Sequence, residues 1–180
     1  NTSAGGPQFV GSKIYDGLLT YDYDLTPKPS LAKAWSVSAD GLEYVFHLQP
    51  NAKFHDGKPV TSQDVAFSVL RLKEAHPRGR ATFSQVESVD TSDPLVAKLK
   101  LAKPSPGLIT ALAASESPIV PKHIFETFKP TENPKTDQII GSGPFVLKEW
   151  TPGSHILLEK NADYWDQPRP HLDRVIIRLI

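Results

Sequence analysis

The chain has 180 residues, 39% hydrophobic and 22% charged, with 20 Lys and Arg set against 20 Asp and Glu. That supports one ordinary domain or two small lobes, and a net charge of zero gives no electrostatic case for nucleic acid or an anionic membrane. The lack of cysteine excludes disulfides, thiolate metal sites and cysteine nucleophiles. No stretch approaches the roughly 20 apolar residues of a membrane helix. Methionine is absent too, so the chain is expected to be processed or a piece of something larger.

Pro7 to Leu18 reads as a short helix whose stripe of Phe9, Ile14 and Leu18 is weakened by Gly11. Leu19 to Tyr23 follows as a short strand. Thr26 to Ser30 is a stiff extended connection, because Pro27 and Pro29 fix their own φ and bias their predecessors away from helix. Leu31 to Ala34 is expected to form a turn of helix, and Trp35 to Val37 a strand. Asp40-Gly41 is a turn dipeptide, after which Tyr44, Phe46 and Leu48 alternate onto one face of a strand. Asp56-Gly57 turns the chain again. Thr61 then suits a helix N-cap, with Asp64 placed to reach back to it, and Val65, Val69 and Leu72 recur at helical spacing. Residues 39–72 thus read as hairpin, turn and helix, which is scaffold.

His76 to Arg80 is expected to be a polar loop. Val86 to Val89 and Leu95 to Leu101 are strands joined by a turn at 91–94. Leu108 to Ala114 and Pro121 to Phe128 are short helices, and Pro130 to Gln138 is a polar linker. Gly141 to Pro144 is a tight turn. Phe145 to Trp150 and His155 to Glu159 form a hairpin around Thr151-Pro152-Gly153. Val175 to Ile180 is a last strand, apolar to its end, and reads as cut short. The sequence has no internal repeat.

The segment 39–72 resembles the signature of the family 5 extracellular solute-binding proteins. Further matches stand in the same order. Ile14-Tyr15-Asp16-Gly17-Leu18-Leu19 is similar to the family's Tyr-Glu-Gly-Leu segment, with Asp16 replacing the commoner Glu. Pro29-Ser30-Leu31-Ala32-Lys33-Ala34-Trp35 resembles Pro-x-Leu-Ala-Glu-x-Trp, with Lys33 in place of the acid. Ser117 to His123 resembles a loop-to-helix entry common in the family. Ile140-Gly141-Ser142-Gly143-Pro144-Phe145 resembles Val-Gly-Thr-Gly-Pro-Tyr, and Asn161-Ala162-Asp163-Tyr164-Trp165 resembles Asn-Pro-x-Tyr-Trp.

The resemblance implies an α/β chain with mixed sheets, one lobe of a two-lobed, class II-like periplasmic-binding-protein clamp with a β-rich insertion. Residues 1–34 and 139–180 would be first-lobe pieces and 35–138 the insertion. The second lobe and the usual opening Leu-Asp-Pro strand would be missing. It implies a solute receptor of an ABC importer, closing on a peptide-like or small polar solute and handing it to a membrane permease. Such a receptor would sit in the periplasm or be lipid-anchored at the outer face of the membrane. The alternative is a solute-sensing module of a cytoplasmic transcriptional regulator built on the same fold. No cofactor, no metal, no nucleic-acid partner and no enzyme activity are implied.

By resemblance, Tyr15, Asp16, Gly17 and Leu18 lie at the cleft wall, where Tyr15 offers a flat amphipathic ring and Asp16 an acceptor for an ammonium or hydroxyl. The loop holding His76, Arg78, Arg80 and Phe83 also faces the cleft; Arg can grip a carboxylate through two parallel bonds. Ser142 and Gly143 bring backbone N–H groups to the hinge region, although the same turn is satisfied by glycines at positive φ. None of the six histidines has metal spacing. Gly141-Ser142-Gly143 is no nucleophile elbow, and phosphate-binding glycine motifs are absent. Asn1-Thr2-Ser3 fits a glycosylation sequon only by chance.

Overall fold

The alternation read at Tyr44, Phe46 and Leu48 places β4 (Glu43–Leu48) at the centre of the largest sheet in the computed structural model, which describes residues 5–129, 132 and 139–178. β4 pairs antiparallel with β3 (Ala32–Val37) on one side and β6 (Val96–Leu101) on the other, and β5 (Val86–Asp93) closes the order β3-β4-β6-β5. Phe46 stands opposite Ala97, and Tyr44 opposite Leu99. The pleat turns these four to one face, where all are buried. Helix α2 (Ser62–Ala75) covers that face with Val65 and Val69. Its first turn is closed by Asp64, whose carboxylate accepts from the Thr61 N–H at 2.9 Å and, through its other oxygen, from the Lys122 N–H at 2.9 Å. The short Asp side chain thus serves two segments at once.

Two sections depart from the local reading. Residues 31–34 are not helical: Leu31 is a bend and residues 32–34 are extended. The Leu31 and Ala32 N–H groups donate to Gly17 and Leu18 carbonyls, and Ala32 begins β3. Partners from another segment outweigh a weak helix preference. Before it, β2 (Pro27–Pro29) pairs with β1 (Leu19–Tyr21), so the proline-stiffened stretch is a short strand. Residues 76–80 are not a loop: α3 (Pro77–Thr82) carries Pro77 at its first position, where the missing N–H costs nothing. Smaller differences follow. A 3₁₀ helix (Pro106–Ala111) replaces the helix expected at 108–114, α4 (Lys122–Phe125) is shorter than expected, and the β5–β6 turn sits at Pro94-Leu95.

α1 (Gly5–Ile14) lies against the three-stranded antiparallel sheet β7 (Phe145–Thr151), β8 (His155–Lys160) and β9 (Arg174–Arg178). Ile14, Phe145 and Leu158 form a small core there, separate from the large one. Leu18, Leu19, Leu31 and Ala32 belong to the large core. The chain therefore passes between the two cores at residues 15–17. The 130–138 linker apart from Glu132, the sequon at Asn1 and the end of the last strand lie outside the described residues. Among the described residues no helix is long and apolar enough to cross a membrane.

Candidate functional site

The passage between the cores gives four consecutive residues four different surroundings. Tyr15 is half-buried and lines a cavity of about 640 Å³ between α1, α2, the 114–120 segment and the β7–β9 sheet. Burial raises its phenol well above the ordinary value. Asp16 is turned away from that cavity into the interior. Its carboxylate accepts from the Tyr164 hydroxyl at 3.1 Å and the Trp165 indole N–H at 2.9 Å. Its N–H donates to Ser142 Oγ at 3.3 Å, and its carbonyl accepts from Ile119 N–H at 2.9 Å. Burial pushes this carboxyl up to about 7, against the two aromatic hydrogen bonds, which favour the anion. Gly17 is pressed on the 112–114 backbone, where a Cβ would overlap Leu112 O and Ala114 N. Leu18 is core.

His76 is buried, caps α3 by accepting the Gly79 N–H on Nδ1 at 3.1 Å, and lines the same cavity as Tyr15. Loss of solvent holds its pKa below the ordinary value. The rest of its segment goes elsewhere. Arg78 is exposed and pairs with Glu116 at 3.0 Å, Arg80 donates to the Glu74 carbonyl, and Phe83 is in the large core at 1% exposure. Glu116 and Arg71 line the cavity and were not foreseen. The Arg71 guanidinium is already committed, donating to the carbonyls of Phe125, Phe128 and Lys129 and lying over the Phe67 and Phe125 rings. No spacing in the sequence signals that arrangement.

Ser142 and Gly143 face the interior rather than the cavity. The positive-φ glycines are Gly41, Gly57 and Gly153, so the turn at 141–143 needs glycine for a different reason. It lies against the end of α1. The Gly143 N–H donates to Ile14 O at 2.8 Å, and a Cβ on Gly143 would stand 2.6 Å from the Ile14 carbonyl carbon. His55 clasps the turn from the other side: Nδ1 accepts the Gly141 N–H at 3.2 Å and Nε2 meets Gly143 O at 3.0 Å. Asn161 Nδ2 donates to that same carbonyl at 3.1 Å. The two glycine N–H groups are thus spent inside the fold. Among the described residues no cluster of three His, Asp or Glu could hold a metal ion. What the arrangement offers is a mostly apolar cavity with a few polar groups, of the size that encloses a small ligand.

The model for bacterial extracellular solute-binding proteins, family 5 Middle, matches residues 26–180. The oligopeptide-binding protein AppA of Bacillus subtilis is 33% identical over 177 residues, covering 95% of this chain and 32% of its own. The solved structure of that AppA with a nonapeptide superposes with a TM-score of 0.88 at 31% identity, over 100% of this chain and 36% of its own. AgaA of A. tumefaciens in complex with agropinic acid gives 0.84 at 36% identity, over 98% and 35%. NikZ of Campylobacter jejuni with Ni(L-His) gives 0.82 at 29% identity, over 94% and 34%. The chain spans about a third of the length of the curated relatives it matches.

Proposed function

This chain belongs to family 5 of the bacterial extracellular solute-binding proteins, and from that membership we propose that it supplies one wall of a solute cleft in a longer receptor. The family's members are binding receptors, not enzymes. The observation that carries the reading is that Tyr15 and His76, from separate segments, line one cavity of about 640 Å³. Its walls are mainly aliphatic and aromatic, with the phenol, the imidazole, the Arg71 guanidinium and the Glu116 and Glu132 carboxylates among the polar points, which suits a peptide better than a sugar or a naked metal ion. The named relatives bind an oligopeptide, agropinic acid and a nickel–histidine complex, and the peptide binder has the highest TM-score of the three. We read the solute as peptide-like, closed in by a second lobe and passed to the permease of an ABC importer, at the periplasmic or outer side of the membrane. No observation favours the regulator reading.

In the same reading α1 and residues 139–180 belong to the first lobe and residues 35–138 to the insertion, with 18–32 contributing to the insertion's core. The test is calorimetry on the full-length gene product with a mixed-sequence nonapeptide pool. Tyr15→Ala and His76→Ala should each weaken binding by about tenfold or more. Tyr15→Ala should nearly keep the melting temperature, whereas His76→Ala also removes the α3 cap and should lower it modestly. Unchanged affinity in both would remove the cavity from the solute's path.

A further inference from the structure

Asp16 is a buried acid whose two side-chain partners are neutral aromatic residues, Tyr164 and Trp165. Joining two segments does not require an ionisable group, and a buried carboxyl carries a desolvation cost that an apolar contact avoids. What the carboxyl adds is direction, since it accepts two hydrogen bonds at fixed angles. The same residue is tied through its backbone to Ser142 and Ile119. One neighbour, Tyr15, faces the cavity, and the other, Gly17, abuts the 112–114 segment that leads to the cavity wall at Ala114. Asp16 itself is not part of that wall.

We propose that Asp16 is a positioning residue: anchored between Tyr164 and Trp165, it sets where the Tyr15 ring and the Gly17 backbone stand, and touches no solute itself. The proposal rests on the reading of the cavity as the solute site. It gives the wall two hydrogen-bond patterns. As an anion, Asp16 accepts on both oxygens. As an acid, one oxygen carries the proton, and the Tyr164 hydroxyl must turn to accept it. Burial brings the exchange between these patterns near neutrality.

The groups facing Asp16 leave that exchange in place. Asp166 raises the carboxyl further. Tyr164 keeps its own proton because burial and the Asp16 charge disfavour phenolate, with Arg169 opposing weakly. The 141–143 turn brings only His55, whose pKa is lowered by burial and so lies below its ordinary 6.5. Ile119 contributes backbone alone.

The experiment follows the Trp165 indole and Gly17 amide resonances of the isotopically labelled, ligand-free, full-length protein through neutrality. Both should move together with a midpoint near pH 7. Asp16→Asn keeps the shape and an acceptor and should leave both resonances flat. Trp165→Phe removes a hydrogen bond that favours the anion and should raise the midpoint of the Gly17 amide. With the nonapeptide pool, Asp16→Ala should lose about as much affinity as Tyr15→Ala, and Asp16→Asn should restore most of it. A transition that survives in Asp16→Asn overturns the proposal. So does a Gly17 amide that stays still while the indole shifts, because the carboxyl would then titrate without positioning anything. The resonances need no solute, so a Tyr15→Ala variant that binds normally would sink the solute reading separately.

Discussion

The hairpin–helix unit at 39–72, His55 apart, and the seam at 14–18, 55, 141–143 and 161–165 are both rich in motif residues, yet they hold themselves together differently. In the first, the decisive partners are close in sequence or follow from the pleat. Gly41 and Gly57 turn the chain at φ +69° and +84°, Thr61 and Asp64 close a helix start, and Tyr44, Phe46 and Leu48 share a face. In the second, each partner is remote: Asp16 and Trp165 are 149 positions apart, and His55 reaches Gly141 across 86. Even glycine changes its job. At 57 it supplies a left-handed backbone; at 17, 141 and 143 it supplies the absence of a Cβ. A motif of the first kind announces its own structure, whereas a motif of the second kind announces only that something else must fit against it.

The largest expected effect lies in the first region. Phe46 is fully buried in the sheet, and Phe46→Ala in the full-length protein should cost about 3–5 kcal/mol, read as a lowered denaturation midpoint. A loss near zero would mean the large core does not carry the fold. Next comes a pair that separates the two uses of glycine. Gly143→Asn places a Cβ 2.6 Å from the Ile14 carbonyl carbon and should cost about 1–3 kcal/mol. Gly57→Asn meets nothing within 4 Å and needs only a positive φ, which Asn tolerates, so it should be nearly neutral. Equal losses at both sites would erase the distinction.

Legibility follows the same line. The hairpin, the α2 cap and the turn at Asp56-Gly57 could be read because period two, helical spacing and turn chemistry act over a few residues. The bend and strand start at 31–34 could not, since their backbone partners, Gly17 and Leu18, are brought there by folding. His76 sits in a segment whose composition reads as a loop, because the cap it forms depends on Gly79 folding back onto its ring. In the candidate site, the resemblance marked Tyr15 and His76 as neighbours of a cleft. It marked Phe83, Leu18 and Ser142 equally, and these are interior. Residue type alone does not say which way a side chain turns. That Tyr-Asp-Gly-Leu and Asn-Ala-Asp-Tyr-Trp meet at one carboxylate is written in neither motif.

His55 tests the seam by pH. With Nδ1 accepting from Gly141, the hydrogen sits on Nε2 and donates to Gly143 O, so the clasp needs the neutral ring. Burial lowers the folded pKa below the ordinary 6.5 kept by the unfolded chain. The unfolded chain therefore takes up the proton first as pH falls. The clasp's stability should be complete above 6.5 and decline below it, until the folded ring also titrates. Thermal melts over a pH series should show that decline in wild type and a shallower one in His55→Gln. Parallel curves would show that the clasp does not titrate.

The smallest expected effect is at Arg78, a candidate solute contact that the fold places outside the cavity lining. Its guanidinium pairs with Glu116 at 3.0 Å, with side chains 57% and 35% exposed. Water screens such a pair, and holding two long side chains together costs entropy, so the pair is worth about 0–1 kcal/mol. Arg78→Ala should therefore barely move the melting temperature. Its effect on solute is more telling, because Glu116 lines the cavity and Arg78 does not. Freed from its partner, Glu116 would add negative charge to the wall, and affinity should change by less than about tenfold, the equivalent of roughly 1.4 kcal/mol. Glu116→Gln removes that charge without Arg78 and sets the scale for it. If Arg78→Ala instead loses more than tenfold while Glu116→Gln loses none, the guanidinium reaches the solute directly. The wall would then extend past α3, and the seam would owe less to its buried ties than to its rim.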